Sequence, residues 1–537
     1  MKYDAVVVGG GIAGLTAAAY LAKAGQSVAL FERQSKTGGL VQTFQRNKVY
    51  FDGGLRSIEN SGIVFPMLKQ LGIEIDFLKS NISVGIADSV LILKDKSSLY
   101  EYGSFLKSHF PENGKDIEAI IKEIRKIMGY MDVLYGIDNP IFLDIKKDYR
   151  YFMTTVFPWM FKFLFTIGKI SELDEPVETY MKRFTKNQAL IDLIIQHFFQ
   201  HTPASFALSY FSLYLDYHYP KGGTATLIEQ MTAYVVQHGG DVKTGVTIES
   251  LHPEQKYVVD SNGGRTDYTN LIWTGDQKLL YNSIPIEKLK NRKLIDKITE
   301  KRSYIRDLKG GDSVYTAYLT VDEDKEYFAN ICTGHFFYTP DKTGLSSLSK
   351  DDMEQFVNQQ EIQNEDTALK NKVKQYLSKY FRLNTFEIAI PVLRDADLSP
   401  TGKVGLVVSL LFDYRLAKKI DEFGWTEEIR DYLEHLTIEI LDQSIFPGIK
   451  EKVTAKFSST PLTIEKLTGN TDGGITGWAH TNPYLPVVNK MSKVARSVDT
   501  ILPSVYQAGQ WVYSPSGLPV SILTGKLAAD KCKKTVR

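Results

Sequence analysis

Residues 5–14 read Ala-Val-Val-Val-Gly-Gly-Gly-Ile-Ala-Gly, and this run restricts the fold more tightly than any other part of the chain. Ala5 to Val8 is apolar throughout, as in a strand buried on both faces of a parallel sheet. Gly9, Gly11 and Gly14 then fall in the spacing G-x-G-x-x-G. Leu15 to Lys23 is a strong helix former that ends at Gly25, a suitable C′ residue. A second apolar strand, Ser27 to Phe31, finishes in Glu32. Gly9 permits a tight turn, Gly11 lets backbone approach a pyrophosphate, and Gly14 lets helix and strand pack closely. The helix N-terminus offers free N–H groups and a positive dipole end to phosphates. Glu32 stands where an acid accepts hydrogen bonds from ribose hydroxyls. A lone glycine motif is weak evidence, but strand, glycines, helix, second strand and acid here fall in register, which predicts a dinucleotide-binding βαβ unit.

Further segments bear on which dinucleotide. Gly38-Gly39-Leu40 follows the acid, and Tyr50-Phe51-Asp52-Gly53-Gly54 follows that. Mid-chain, Tyr219 to Thr224 precedes a predicted helix, Leu227 to Gln237, and a strand running through Val246. Asn270 to Asp276 reads as another strand, ending around Gly275. Near the C-terminus Val505 to Gly509 reads as a strand, and Gly517-Leu518-Pro519-Val520 opens a last helix, Ser521 to Lys531. In order and spacing this set resembles the FAD proteins of the amine-oxidase superfamily. Within it the chain is most similar to the branch of phytoene desaturase, carotenoid isomerase and retinol saturase. Glu387 to Pro391, Asp395 to Pro400, and Ser459 to Trp478 point to the same branch. Leu40 departs from the pattern, standing where many relatives carry Arg, as does Gln510, where Asp or His is frequent.

The resemblance implies an α/β fold: a Rossmann-like FAD-binding domain with a glutathione-reductase-like βαβ unit, joined to a mixed α+β substrate domain. It implies FAD contacts from Gly9, Gly11, Ala13, Gly14, Glu32, Arg33, Gly38, Gly39, Leu40, Gly54, Val246, Gly275, Gly509, Gln510, Gly517, Leu518 and Pro519. At 537 residues the chain is too long for one core. We expect a discontinuous FAD-binding domain of residues 1–85, 219–290 and 485–537, and a substrate domain of 86–218 and 291–484. The first insertion reads as helical, with Ile117, Ile120, Ile121, Ile124 and Ile127 on one face of a helix over Asp116 to Met128.

Composition narrows the chemistry. Lys plus Arg (64) balance Asp plus Glu (63), so no global field favours nucleic acid. Two cysteines, neither in a CxxC pair, fit a reducing compartment, and the chain passes at once into its first strand, so we expect a cytoplasmic protein. Of the nine histidines only His197 and His201 fall in HxxxH spacing, none forms HExxH, and no metal site is expected. No second G-x-G-x-x-G follows a strand, so electrons must pass to or from an external partner such as quinone, oxygen or reduced nicotinamide. Residues 151–170, YFMTTVFPWMFKFLFTIGKI, are rich in aromatics around Pro158 and carry Lys162 and Lys169. They read either as a core or channel-lining helix, or as a segment dipping into one leaflet on the inner face of the membrane.

For catalysis the loop after Asp52 offers Arg56 and Glu59, which either orient substrate and move a proton or serve as a structural ion pair or a contact to FAD phosphate. The resemblance implies an FAD-dependent oxidoreductase that acts on a long hydrophobic isoprenoid or polyene, carotenoid- or retinoid-like, by desaturation, saturation or cis–trans isomerisation. The alternatives are an amine-oxidase-like flavoenzyme and a non-catalytic prenyl or lipid carrier of the same architecture.

Overall fold

A computed structural model describes residues 2–144, 146–359 and 367–535. Two sheets of seven strands each organise the described residues. In the first, Lys2–Val8 lies between Val28–Glu32 and Arg265–Trp273, parallel to both. Asp241–Thr244 continues the parallel order beyond Val28–Glu32, and Val505–Gln507 pairs in parallel with the end of Arg265–Trp273. Tyr257–Asp260 and Ile248–His252 extend the sheet antiparallel. The helix Ile12–Lys23 is buried from Ile12 through Ala22. Its run of alanines allows this, because the sheet lies on one side and Ala225–Gln237 and Leu518–Thr535 pack on the other. A Cβ on Gly525 would lie 2.5 Å from the Ala13 carbonyl, so the first and last helices of the chain touch backbone to backbone.

The second sheet runs in the order Val453–Ser459, Ser313–Val321, Val404–Phe412, Phe386–Ala389, His335–Thr339, Ile82–Ile86, Ser89–Leu93. Side chains alternate across a strand, and here the two faces differ. Phe336, Tyr338, Phe386, Ile388, Leu406 and Val408 point to a core roofed by Thr367–Leu383, Tyr414–Glu422 and Thr426–Ser444. Residues of the opposite alternation include His335, Phe337, Thr339, Thr385, Glu387, Ser409 and Thr316. Around Phe337 that face meets a helical layer that includes Ser98–His109, Gly114–Tyr135 and Gln188–Ile195. The expected division at residue 85 falls within Ile82–Ile86, which pairs into this second sheet. Arg292–Arg306 packs through Leu294, Ile298 and Ile305 against the first sheet.

The segment 151–170 forms the end of Tyr149–Tyr151, a π-helical stretch over Phe152–Val156 and the helix Phe157–Ser171. Trp159 anchors it by donating its indole N–H to the Val133 carbonyl on Gly114–Tyr135. Met153, Phe157, Met160, Phe161, Leu164 and Phe165 are exposed. Their spacing of three and four residues makes one apolar stripe on the outer face. No helix among the described residues is long and apolar enough to cross a membrane.

Candidate active site

The parallel strands of the first sheet all end along one edge, at Gly9, Glu32, Gly245, Thr274 and Ala508. Open α/β sheets hold ligands in the crevice outside such carboxyl ends. Gly11 caps the first helix without any side-chain acceptor, and space is open where its Cβ would be. Gly14 is packed so tightly that a Cβ would lie 1.9 Å from the Gly9 carbonyl oxygen. The Glu32 carboxylate is fixed by both oxygens, accepting from the N–H of Gly10 (2.7 Å) and of Gln34 (2.7 Å). Gly38 bridges to Gly11, and Gly39 lies against it. Gly54 sits over the Leu40 carbonyl, where a Cβ would approach to 2.2 Å. Gly509 donates its N–H to Thr524 Oγ1 (3.0 Å) and borders Ala13. The Gln510 carbonyl lies against Gly477. Gly275 follows the strand Arg265–Trp273, and Gly517, Leu518 and Pro519 open the last helix. The exposed Arg33 reaches toward the carbonyl of Lys466 (3.3 Å), and Val246 donates its N–H to the Glu32 carbonyl (2.9 Å).

From this crevice the loop after Asp52 leads under the second sheet. Asp52 accepts from Tyr219 (3.0 Å) and Thr43 (2.8 Å) and pairs with Arg394 (3.1 Å). Arg56 therefore does not pair with it through the carboxylate. Its guanidinium donates instead to the Asp52 carbonyl (2.7 Å) and to Ser409 Oγ (2.7 Å), and its Nε has no partner among the described residues. His335 Nε2 lies 2.9 Å from Glu387, and its Nδ1 lies 3.1 Å from the Ser57 hydroxyl. Burial holds His335 below its ordinary range despite the neighbouring carboxylate. Burial is the largest influence on Glu387 and works to raise it, but the hydrogen bond from His335 and the neighbouring positive charge, Arg56 included, together outweigh it and the pKa falls. Both directions give a neutral imidazole donating from Nε2 to an ionised carboxylate, with Ser57 donating to Nδ1.

Glu59 has the contrary setting. Its strand, Ile58–Glu59, pairs with Tyr217–Pro220, and its carboxylate oxygen lies 3.7 Å from where a Cβ on Gly517 would be. Loss of hydration, aided by the charge of Asp216, pushes its pKa up to about 7. Two carboxyl groups whose surroundings drive them apart mark the positions where a site keeps an acid and an anion. Tyr210 and Tyr217 feel both carboxyl groups: burial pushes the two phenols up, and the charges of Glu59 and Glu387 add to it. His335, Glu387, Ser409 and Arg394 were missed in the sequence. His335, Glu387 and Ser409 are single polar residues in apolar strands, on the alternation opposite the core, while Arg394 closes the turn after Pro391–Leu393.

The model of flavin-containing amine oxidoreductases matches residues 12–326. The chain belongs to this family. Its cofactor is FAD, and it is an FAD-dependent oxidoreductase. It is 22% identical to the inactive all-trans-retinol 13,14-reductase of Danio rerio over 98% of this chain and 86% of that protein. It is 23% identical to the 4,4'-diapolycopen-4-al dehydrogenase of Metabacillus indicus over 97% of this chain and 95% of that protein. Among solved structures, an oxidoreductase from Methanosarcina mazei shares the fold, with TM-score 0.59 and 14% identity over 99% of this chain and all of that one. The open face of Gly11, the uncapped helix behind it and the fixed carboxylate of Glu32 suit a dinucleotide. Among the described residues no cluster of three or more metal-ligating side chains occurs.

Proposed function

We propose that this flavin oxidoreductase acts on a long, apolar, conjugated isoprenoid, changing the hydrogenation or the geometry of its double bonds. The observation that carries this reading is an apolar cavity walled chiefly by aliphatic and aromatic side chains, among them Ile124, Phe211 and Phe337, the last of which packs against the His335 ring. Related proteins named for retinol and for diapolycopenal support it. FAD, when bound, accepts or supplies a hydride equivalent. It would be held by Gly11, Glu32, Gly509 and the N-terminus of the last helix. Glu59 holds a proton near neutral pH and delivers it to, or removes it from, substrate carbon. Arg56 holds a fixed positive charge against the second sheet, and the Tyr210 and Tyr217 rings exclude water. Electrons arrive from or leave to an external partner: quinone, oxygen or reduced nicotinamide.

We take residues 1–80 with the first sheet and last helix as the cofactor domain, and the second sheet with its helices as the substrate domain. The stripe on Phe157–Ser171 is read as the surface that meets a leaflet on the cytoplasmic side, where aromatic rings and lysine stems are both well accommodated.

A second reading, oxidation of an amine, draws on Glu387, an anion among tyrosines that suits an ammonium. Anaerobic incubation of FAD-loaded protein with all-trans polyenes and with amines separates the two. Bleaching of the oxidised flavin band by polyenes alone is expected for a desaturase. For a saturase, pre-reduced enzyme re-oxidises on adding polyene. A response to amines alone overturns the polyene reading.

A further inference from the structure

The far end of the apolar cavity is not wholly apolar. The strand His335–Thr339 places His335, Phe337 and Thr339 on one face, so Thr339 lies about 13 Å beyond His335 at 3.3 Å per residue. There the Thr339 hydroxyl meets the Thr385 hydroxyl at 2.7 Å, both side chains buried and both lining the cavity. Gln196 Nε2 donates to Thr385 Oγ1 (2.9 Å), while its amide oxygen accepts from Leu345 N–H (3.0 Å), which fixes the orientation of that amide. The two threonines thus receive one hydrogen and share a second, and the remaining hydroxyl hydrogen has no acceptor among the described residues. Because both hydroxyls line the cavity, this hydrogen is placed to donate to an oxygen of a ligand there.

A second polar point lies along the same wall. His197 Nε2 and the Tyr214 hydroxyl are 2.7 Å apart, and the other ring nitrogen of His197 has no partner among the described residues. Burial lowers the pKa of His197 to about 4, so the ring is neutral at ordinary pH and offers a hydrogen-bonding position without charge. No Asp, Glu, Lys or Arg lines the cavity. An unpaired carboxylate or ammonium there would lose its hydration without compensation, whereas a neutral oxygen would not.

We propose that the cavity beyond His335 is a subsite for the oxygen-bearing end of the substrate, so that the enzyme prefers a polyene ending in an alcohol or aldehyde over the corresponding hydrocarbon. This rests on the polyene reading above and names its substrate class. The Thr339–Thr385 pair supplies the donor, and His197 and Tyr214 accept or donate according to which oxygen group arrives. The conjugated chain then runs back past Phe337 toward Glu59 and the flavin.

The test is a binding titration of the full-length, FAD-loaded protein, followed by perturbation of the flavin spectrum. Four probes share one chain: all-trans-retinol, all-trans-retinal, all-trans-retinoic acid, and the hydrocarbon with methyl in place of the terminal CH2OH. One added hydrogen bond corresponds to roughly a 3- to 10-fold gain in affinity. Alcohol and aldehyde should therefore bind about 10-fold more tightly than the hydrocarbon, and the acid more weakly than the alcohol. In Thr385→Val the alcohol and aldehyde should lose about 3- to 10-fold while the hydrocarbon is unchanged. Equal affinity of wild-type protein for alcohol and hydrocarbon overturns the subsite whether or not the variant folds, and so does tight binding of the acid. Flavin that responds to polyenes without such preference removes only the subsite. Flavin that responds to none of the four removes the polyene reading as well.

Discussion

Replacing Glu59 by Gln should make the protein more stable and less active at once, and the two effects have one cause. Enclosure between Tyr217 and Gly517 raises the Glu59 carboxyl from 4.5 to about 7. The folded chain therefore binds this proton more tightly than the unfolded chain does. Between pH 4.5 and 7 the folded state holds more protons, so stability falls as the pH rises through that window and stays lower above it. A shift of this size corresponds to about 3 kcal/mol in full, and about 1–3 kcal/mol once partial hydration of a half-buried group is allowed for. Glutamine keeps the shape and removes the charge. In Glu59→Gln the unfolding free energy at pH 8 should exceed that of the wild type by about 1–3 kcal/mol, and the gain should shrink as the pH falls toward 5. Flavin reduction or re-oxidation by polyene should meanwhile slow by roughly 10²- to 10⁴-fold, the ordinary contribution of a positioned acid or base. Denaturant unfolding of apoprotein at several pH values measures the first effect, and single-turnover flavin absorbance measures the second. If the variant is less stable than wild type at pH 8, the carboxylate is held by partners rather than stripped of water, and its assignment as the proton carrier fails.

Other consequences can be checked separately. Gly14→Ala forces a methyl group against the Gly9 carbonyl; the variant should lose FAD affinity by roughly 10- to 100-fold, read as flavin per chain after purification. Arg56→Lys keeps the charge but cannot span the Asp52 carbonyl and Ser409 together. It should lower unfolding free energy by about 1.5–3 kcal/mol, as measured by denaturant unfolding. Phe161, Leu164 and Phe165 are 57%, 66% and 77% exposed, together about two full side chains, or roughly 3–6 kcal/mol on transfer to lipid. Changing all three to Gln should cut vesicle binding by about a hundredfold or more in a flotation assay while leaving stability within about 0.5 kcal/mol. Unchanged flotation would remove the leaflet reading.

The cofactor half was legible because its demands are local. A pyrophosphate needs backbone N–H groups with no side chain in front of them, and only glycine at fixed intervals after a buried strand provides that, so Gly9, Gly11 and Gly14 can be read in one pass. The meeting of the first and last helices went unread, although Gly525 and the alanines of Ile12–Lys23 are small where the two backbones approach. The substrate half was not, because His335, Glu387, Ser409 and Thr385 come from strands far apart in sequence and gain meaning only through register. Ser409 faces Thr316 on one side and Glu387 on the other. Nothing in a linear reading sets those partners beside one another. Arg56 shows the same limit: its position near the site was readable, but its choice of Ser409 over the Asp52 carboxylate depends on Arg394 having taken that carboxylate first.

The two apolar features of the substrate half lie on either side of one helix. Gly114–Tyr135 turns Ile124 toward the cavity, and its Val133 carbonyl receives the Trp159 indole of the exposed helix. A globular core would ordinarily close such a layer: the inner face would be packed solid, and the outer face would be polar. Here the inner face borders a cavity and the outer face is a stripe of Phe, Leu and Met. Neither feature stabilises the isolated chain, since exposed apolar side chains and unfilled space both forgo burial. Their placement within one helix of each other suits the proposed substrate, which on the leaflet reading would cross a single protein layer to reach the cavity. The polar residues at the cavity's far end, Thr339, Thr385 and His197, then have a use that packing alone does not give them: they fix which end of a slender chain enters first, and so which double bond comes to rest over Glu59.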